Sequence, residues 1–240
     1  MKLRIRHTKL GKIRFTSHRD TARHWERAVR KAGVPLAYSA GFTPRPRMSF
    51  GLALPTGAES FAEYLDIELA PDHVADLDDL CVRFGAALPA GYDVTHIVPR
   101  DQVSPSLQED VVACTWRLTL HDVSNQQLLE AIDATLASAT LPVARERKGQ
   151  RSTDDVRPAI LDLSVDPSTD DPRPHLCAML ATNGRGLRPT ELVAAMFPAL
   201  DPVDTAARVL RTQQWIERDG VRREIIPATP VAPRTPVECA

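Results

Sequence analysis

The chain has 240 residues, of which 43% are hydrophobic and 25% charged, with a formal net charge of -1, so it can bury a sizeable core. Nothing approaches the ~18 consecutive apolar residues of a membrane span, and the opening MKLRIRHTKLGK carries charges where a secretory leader needs an apolar run, so a cytoplasmic protein without a membrane partner is expected. Cys81, Cys114, Cys177 and Cys239 stand 33, 63 and 62 residues apart, which excludes a zinc or iron–sulfur cluster; they read as reduced core or tail thiols, and no metal or cofactor is expected.

In chain order, residues 2–7 and 12–15 are predicted as short strands around a turn at Lys9–Lys12, where Gly11 supplies a permissive backbone. A helix follows, opened by Ser17 with Asp20 three residues on and closed near Ala32 by Gly33 and Pro35. Ala22, Trp25, Val29 and Ala32 form its apolar stripe, while Arg19, Arg23, Arg27 and Lys31 recur every four residues on another face. The chain then turns extended through LAYSA, Gly41-Phe-Thr-Pro-Arg-Pro-Arg47 and MSFGLAL, and AEYLDIEL alternates as a strand. A second helix is predicted over 76–88, and YDVTHIV returns as a strand.

Residues 99–111 hold Pro99 and Pro105 with little periodicity and read as a domain joint. Beyond it CTWRLTL begins a strand, Ser124 caps a helix with Leu128, Leu129, Ile132 and Leu136 on one face, and VARERK, VRPAILDLSV and HLCAMLAT read as strands. A helix over about 189–197 and a strand ARVLRTQQWIE complete the pattern. The expected fold is α+β: two tandem ferredoxin-like (βαββαβ) domains with antiparallel sheets, 1–98 and 112–226, and a disordered Pro-rich tail over 227–240.

Charge is distributed unevenly along this plan. The first fifty residues hold thirteen of the thirty Lys and Arg against Asp20 and Glu26 alone, a local +11, whereas residues 51–111 set twelve acids against Arg83 and Arg100, a net -10. Two accounts fit: an exposed basic face that meets a polyanion, or an acidic stretch folded back to neutralise the basic one. On the first account Arg19, Arg23, Arg27, Arg45 and Arg47 contact phosphates while Tyr38 or Phe42 stacks an unpaired base. Trp25 and Phe50 are read as core.

His18, at the helix start beside Ser17 and Asp20, is the candidate for general acid or base chemistry in a metal-free RNA cleavage; capping or orienting its neighbours is the plainer account. Asp66 and Glu68 share a strand face with Tyr64, opposite Leu65, Ile67 and Leu69, and an exposed polar face explains them more cheaply than a divalent-ion site. Gly184-Arg185-Gly186 lacks the Lys and spacing of a phosphate loop and reads as a turn.

Phe15-Thr-Ser-His-Arg-Asp20, Gly41-Phe-Thr-Pro-Arg-Pro-Arg47, Ser49-Phe-Gly51 and Glu63-Tyr-Leu-Asp-Ile-Glu68 together resemble the bacterial radical SAM-linked protein family, whose members occur alone or as the tail of larger radical SAM enzymes. The resemblance covers residues 2–215, is most specific over 13–69, and includes Asp155-Val-Arg-Pro158 and Gly186-Leu-Arg-Pro-Thr-Glu191. It implies a radical SAM enzyme as partner. The chain lacks the three closely spaced cysteines that hold the four-iron cluster, so it is not itself the radical enzyme. The leading expectation is a non-catalytic RNA- or ribonucleoprotein-binding accessory protein working with a radical SAM or RNA-modifying enzyme. A metal-independent endoribonuclease of tandem ferredoxin-like type and a protein-interaction adaptor are the alternatives.

Overall fold

The computed structural model describes residues 1–71, 73, 75–100, 105–147, 150–167, 171–184 and 186–226. The expected loose tail with Cys239, residues 101–104 of the expected joint, and Arg185 lie outside them. Within them the chain forms a mixed α+β fold whose main sheet has nine strands and is antiparallel at all but one junction.

β1 (Lys2–Lys9) is buried along nearly its whole length because β3 (Glu59–Glu68) and β4 (Val94–Pro99) pair with its two edges, both antiparallel. That occupancy explains why the strand predicted over 12–15 does not form. Neither edge of β1 is open to it, and Gly11–Phe15 instead winds into a 3-10 helix, with Gly11 at a φ of +68° donating its N–H to Glu59 Oε1 at 2.6 Å. α1 (His18–Lys31) starts where the sequence placed it, with Ser17 Oγ accepting from the Asp20 N–H. Trp25, Ala28, Val29 and Ala32 bury its inner face against β1 and β3, and Ala22 sits at the margin, half-buried.

Residues 36–47 leave α1 and run along β3, bridged at Leu36–Leu69 and folded back on themselves at Tyr38–Pro46, before β2 (Met48–Phe50) pairs with Leu65–Ile67. α2 (Leu77–Ala87), capped by Asp76, packs Leu80 and Phe84 into the same core. A short helix the sequence did not show, α3 (Leu107–Asp110), occupies the expected joint.

The second half runs β5 (Val111–Leu120), α4 (Asn125–Ala137), the hairpin β6 (Pro142–Arg147) and β7 (Gln150–Asp155), β8 (Ile160–Val165), β9 (His175–Ala181), α5 (Pro189–Met196), α6 (Pro202–Thr205), β10 (Ala206–Arg218) and β11 (Val221–Glu224). In α4 only Leu128 and Ile132 of the predicted stripe are buried; Leu129 and Leu136 stay exposed. β5 lies between β10 and β9, and β8 flanks β9. The second core gathers Trp116, Leu118, Leu128, Ile132, Leu176 and Leu192, among others.

The halves meet along β3. Its second edge is shared, with β2 taking Leu65–Ile67 and β10 pairing in parallel at Glu59 and Ser60, so a single sheet runs through both halves. The face of β3 that carries Tyr64 and Asp66 was expected to be exposed. It is covered by Leu107 of α3 and by Ile226 at the end of the described chain, which bury Tyr64 and Ala62. Asp66 remains polar there because Arg4 grips it at 2.7 and 2.9 Å and Arg100 adds a contact at 3.2 Å.

Candidate nucleic-acid interface

The outer face of α1 follows from its inner one. With successive residues turned by about 100°, burying Trp25, Ala28 and Val29 sends Arg19, Arg23, Arg27, Arg30 and Lys31 to the opposite side. All five are exposed. Only Arg23 has a carboxylate partner among the described residues, Asp20 at 3.2 Å, and Lys31 donates to the Ala86 carbonyl at 3.2 Å. Arg30 was not singled out from sequence. Its place three residues after Arg27 was the available signal, since i and i+3 share a helix face.

Elsewhere the acidic stretch does fold onto the basic one. Asp66 holds Arg4, Glu68 holds Arg47 at 3.1 Å, and Glu59 lies 3.8 Å from Arg14 and binds Arg208 at 2.5 Å. Arg6 is buried against Glu224 at 2.9 Å and the Ile226 carbonyl, and Lys9 is buried with its ammonium on the Thr16 carbonyl. The acidic stretch thus neutralises part of the basic one through the sheet, while the outer face of α1 stays exposed with Arg23–Asp20 as its one carboxylate pair among the described residues.

The loop after α1 presents the predicted aromatics. Ser39 and Arg45 close its neck through two hydrogen bonds, the Ser39 N–H to the Arg45 carbonyl at 2.8 Å and the Arg45 N–H to Ser39 Oγ at 3.1 Å. Phe42, between them, stands wholly in solvent, Tyr38 just before the neck is 57% exposed, and Arg45 is exposed with no carboxylate partner among the described residues. Arg47, in contrast, is committed to Glu68 and borders a shallow cavity of about 290 Å³ with Lys2, Ser49 and Arg100. Arg19, Arg23, Arg27, Tyr38, Phe42, Arg45 and Arg47 are thus all exposed, with Arg23 paired to Asp20 and Arg47 to Glu68.

His18 is exposed, and its ring meets the half-buried Phe50 edge-on at 5.6 Å. Its neighbours are engaged with each other: Ser17 Oγ donates to Asp20 Oδ2 at 2.7 Å and Arg23 to Asp20 Oδ1. The Ser17 hydroxyl bond, followed by Arg23, holds the Asp20 carboxyl below its usual range. Among the described residues no acid contacts the His18 ring. His7, from the same block, is wholly buried between Trp25 at 4.8 Å and Tyr92 at 5.9 Å, and burial lowers its pKa.

The second-half motifs serve as ties. Asp155 Oδ1 accepts from the N–H groups of Leu141 and Arg157, and Arg157 donates to the carbonyls of Ile160 and Leu136, fastening α4 to β8. Leu187 is buried, and Glu191 accepts from the Arg188 N–H at 2.8 Å, fixing the start of α5. Among the described residues no three His, Cys, Asp or Glu side chains gather as a metal site needs, and no described helix is long and apolar enough to cross a membrane.

A family model described as an uncharacterized protein conserved in bacteria (DUF2344) matches residues 2–189, from β1 to the first residue of α5. No curated protein matches the chain.

Proposed function

The chain belongs to the conserved bacterial family DUF2344, and from that premise we propose that it binds single-stranded RNA, free or in a ribonucleoprotein, through the outer face of α1 and the loop over 38–47. The observation that carries this reading is the row Arg19, Arg23, Arg27 and Arg30, exposed with a single carboxylate partner for the four among the described residues, together with a loop over 38–47 that holds Phe42 wholly in solvent. Cations spaced along one face track a phosphate backbone, and an unpacked aromatic side chain offers a platform to an unstacked base. The proposal includes a cytoplasmic setting and a radical SAM or RNA-modifying enzyme as working partner, the latter on the strength of the sequence resemblance alone. It also includes a reading of the fold as two βαββαβ units, 1–98 and 112–226, supported by the strand orders β4-β1-β3-β2 and β10-β5-β9-β8. The hairpin β6–β7 then inserts between the first helix and second strand of the later unit.

Fluorescence anisotropy with a labelled single-stranded RNA tests the central claim. With about five phosphates neutralised, the logarithm of affinity falls against log salt with a slope of roughly -3 to -4, from ~0.7 per phosphate. Replacing Arg19, Arg23 and Arg27 together by Ala flattens the slope and weakens all sequences alike. Unchanged affinity in the triple variant would overturn the reading. Absence of RNA binding with a stable complex of an acidic protein made through the basic α1 would install the adaptor instead, and RNA cleavage lost in His18→Ala would install the endoribonuclease.

A further inference from the structure

A cleft at the seam between the two halves holds chemistry that the α1 surface does not use. Leu52, Ala53 and Pro55, which follow β2, line it together with Leu187 and Arg188, which lead into α5, and Pro189, which opens that helix. Trp116 of β5 and Arg211 of β10 also line it. The cleft encloses about 250 Å³, and a second cavity of about 180 Å³ adjoins it, sharing Pro55, Arg188 and Pro189.

Among the described residues, Arg188 and Arg211 are the charged side chains that line these cavities. Arg211 is 1% exposed, with Nη2 donating to Glu63 Oε1 at 2.6 Å and to the Leu52 carbonyl at 2.9 Å. Its guanidinium also stands 5.4 Å from the centre of the Trp116 ring, which holds that aromatic face in place. Arg188 is exposed and its guanidinium has no carboxylate partner among the described residues; Glu191 is engaged by the Arg188 backbone N–H, and Glu63 by Arg211. An apolar slot whose described lining includes Trp116, 6% exposed, the exposed cation Arg188 and no carboxylate selects for a flat body bearing a negative charge.

We propose that this cleft binds a small aromatic anion, a carboxylate or a phosphate monoester, with its ring on the Trp116 side and its anionic group on Arg188. The proposal is independent of RNA binding at α1. Isothermal titration of the full chain with indole-3-acetate and with adenosine monophosphate, each beside its neutral counterpart indole-3-acetamide or adenosine, tests it and separates carboxylate from phosphate. At least one anion is expected to bind at a single site and at least tenfold more tightly than its neutral counterpart, and Arg188→Ala is expected to erase that difference. Ala53→Trp, at the exposed rim, is expected to block binding; if that variant loses thermal stability, Arg188→Ala alone decides. Failure of both anions to bind, equal binding of the neutral compounds, or undiminished binding by Arg188→Ala would overturn the proposal. RNA affinity unchanged in Arg188→Ala would show that the two sites fail or stand separately.

Discussion

Single residues in this protein carry charge into places where charge is costly, and their partners decide the outcome. Asp66 is buried against Arg4, with Arg100 at 3.2 Å, so Asp66→Asn removes the carboxylate that Arg4 grips inside the sheet. A loss of ~3–5 kcal/mol in urea denaturation is expected, the cost typical of breaking a buried pair. His7 works through the opposite property. Burial keeps it neutral below the ordinary histidine value of 6.5, with the field of Glu63 opposing that shift, whereas in the unfolded chain it takes up a proton near that value. The unfolded state therefore binds more protons as pH falls through about 6.5, and the neutral ring's contribution, complete above that pH, erodes below it. Stability measured from about pH 7.5 down to about pH 5.5 should decline, and His7→Phe, which keeps a ring against Trp25 and Tyr92, should flatten part of that decline. A slope identical in the variant would rule His7 out as its source.

Among elements, the turn before β4 is the most exacting. Gly91 has a φ of +98°, and a Cβ there would collide with the Leu10 carbonyl oxygen and the Ile13 side chain of the 3-10 segment. Gly91→Ala is thus expected to cost upwards of ~1 kcal/mol through backbone strain and crowding together, visible as a lowered thermal midpoint. The loop over 38–47 should behave in the reverse way: Phe42→Ala with Arg45→Ala is expected to leave stability within about 0.5 kcal/mol, because neither side chain has packing to lose. A clear destabilisation by that pair would mean that the loop is structural. These contrasts also mark what the sequence disclosed. α1 was legible because its cap, its apolar stripe and its cationic row all follow one 3.6-residue period, which placed Arg19, Arg23 and Arg27 on its exposed face, whereas Tyr38, Phe42 and Arg45 were legible from the two prolines that keep their segment out of a helix. The 3-10 segment, α3 and β11 were not legible, since elements of three to five residues are too short to display a period. The burial of Asp66 was hidden for a different reason: its partner Arg4 lies 62 positions away, and nothing local announces that residues 107 and 226 will cover that face. Arg188 and Arg211 meet at one cleft for the same non-local reason.

For the whole molecule, the sheet joint at β3 and β10 sets the cooperativity. Arg211 spans it to Glu63, Gln214 donates to the Ala62 carbonyl, and Arg6 reaches Glu224 and Ile226, so each half completes the polar bonding of the other. A single unfolding transition by calorimetry is expected, and Arg211→Ala, which leaves Glu63 without its partner, should lower it as one event; two resolved transitions would show the halves to be energetically separate. The position of β10 also has a consequence for how the protein is made. Its contacts at Leu210 and Arg211 lie about 150 residues downstream of Glu59 and Ser60. At ribosomal speeds of roughly 5–20 residues per second, β3 therefore waits on the order of 10–30 s with that stretch of its backbone unpaired. During that interval the nascent chain offers an open strand edge to chaperones or to another nascent copy. Ribosome-bound chains stalled before residue 206 should accordingly crosslink to holdase chaperones from the β3 edge, and chains stalled after β10 has emerged should not.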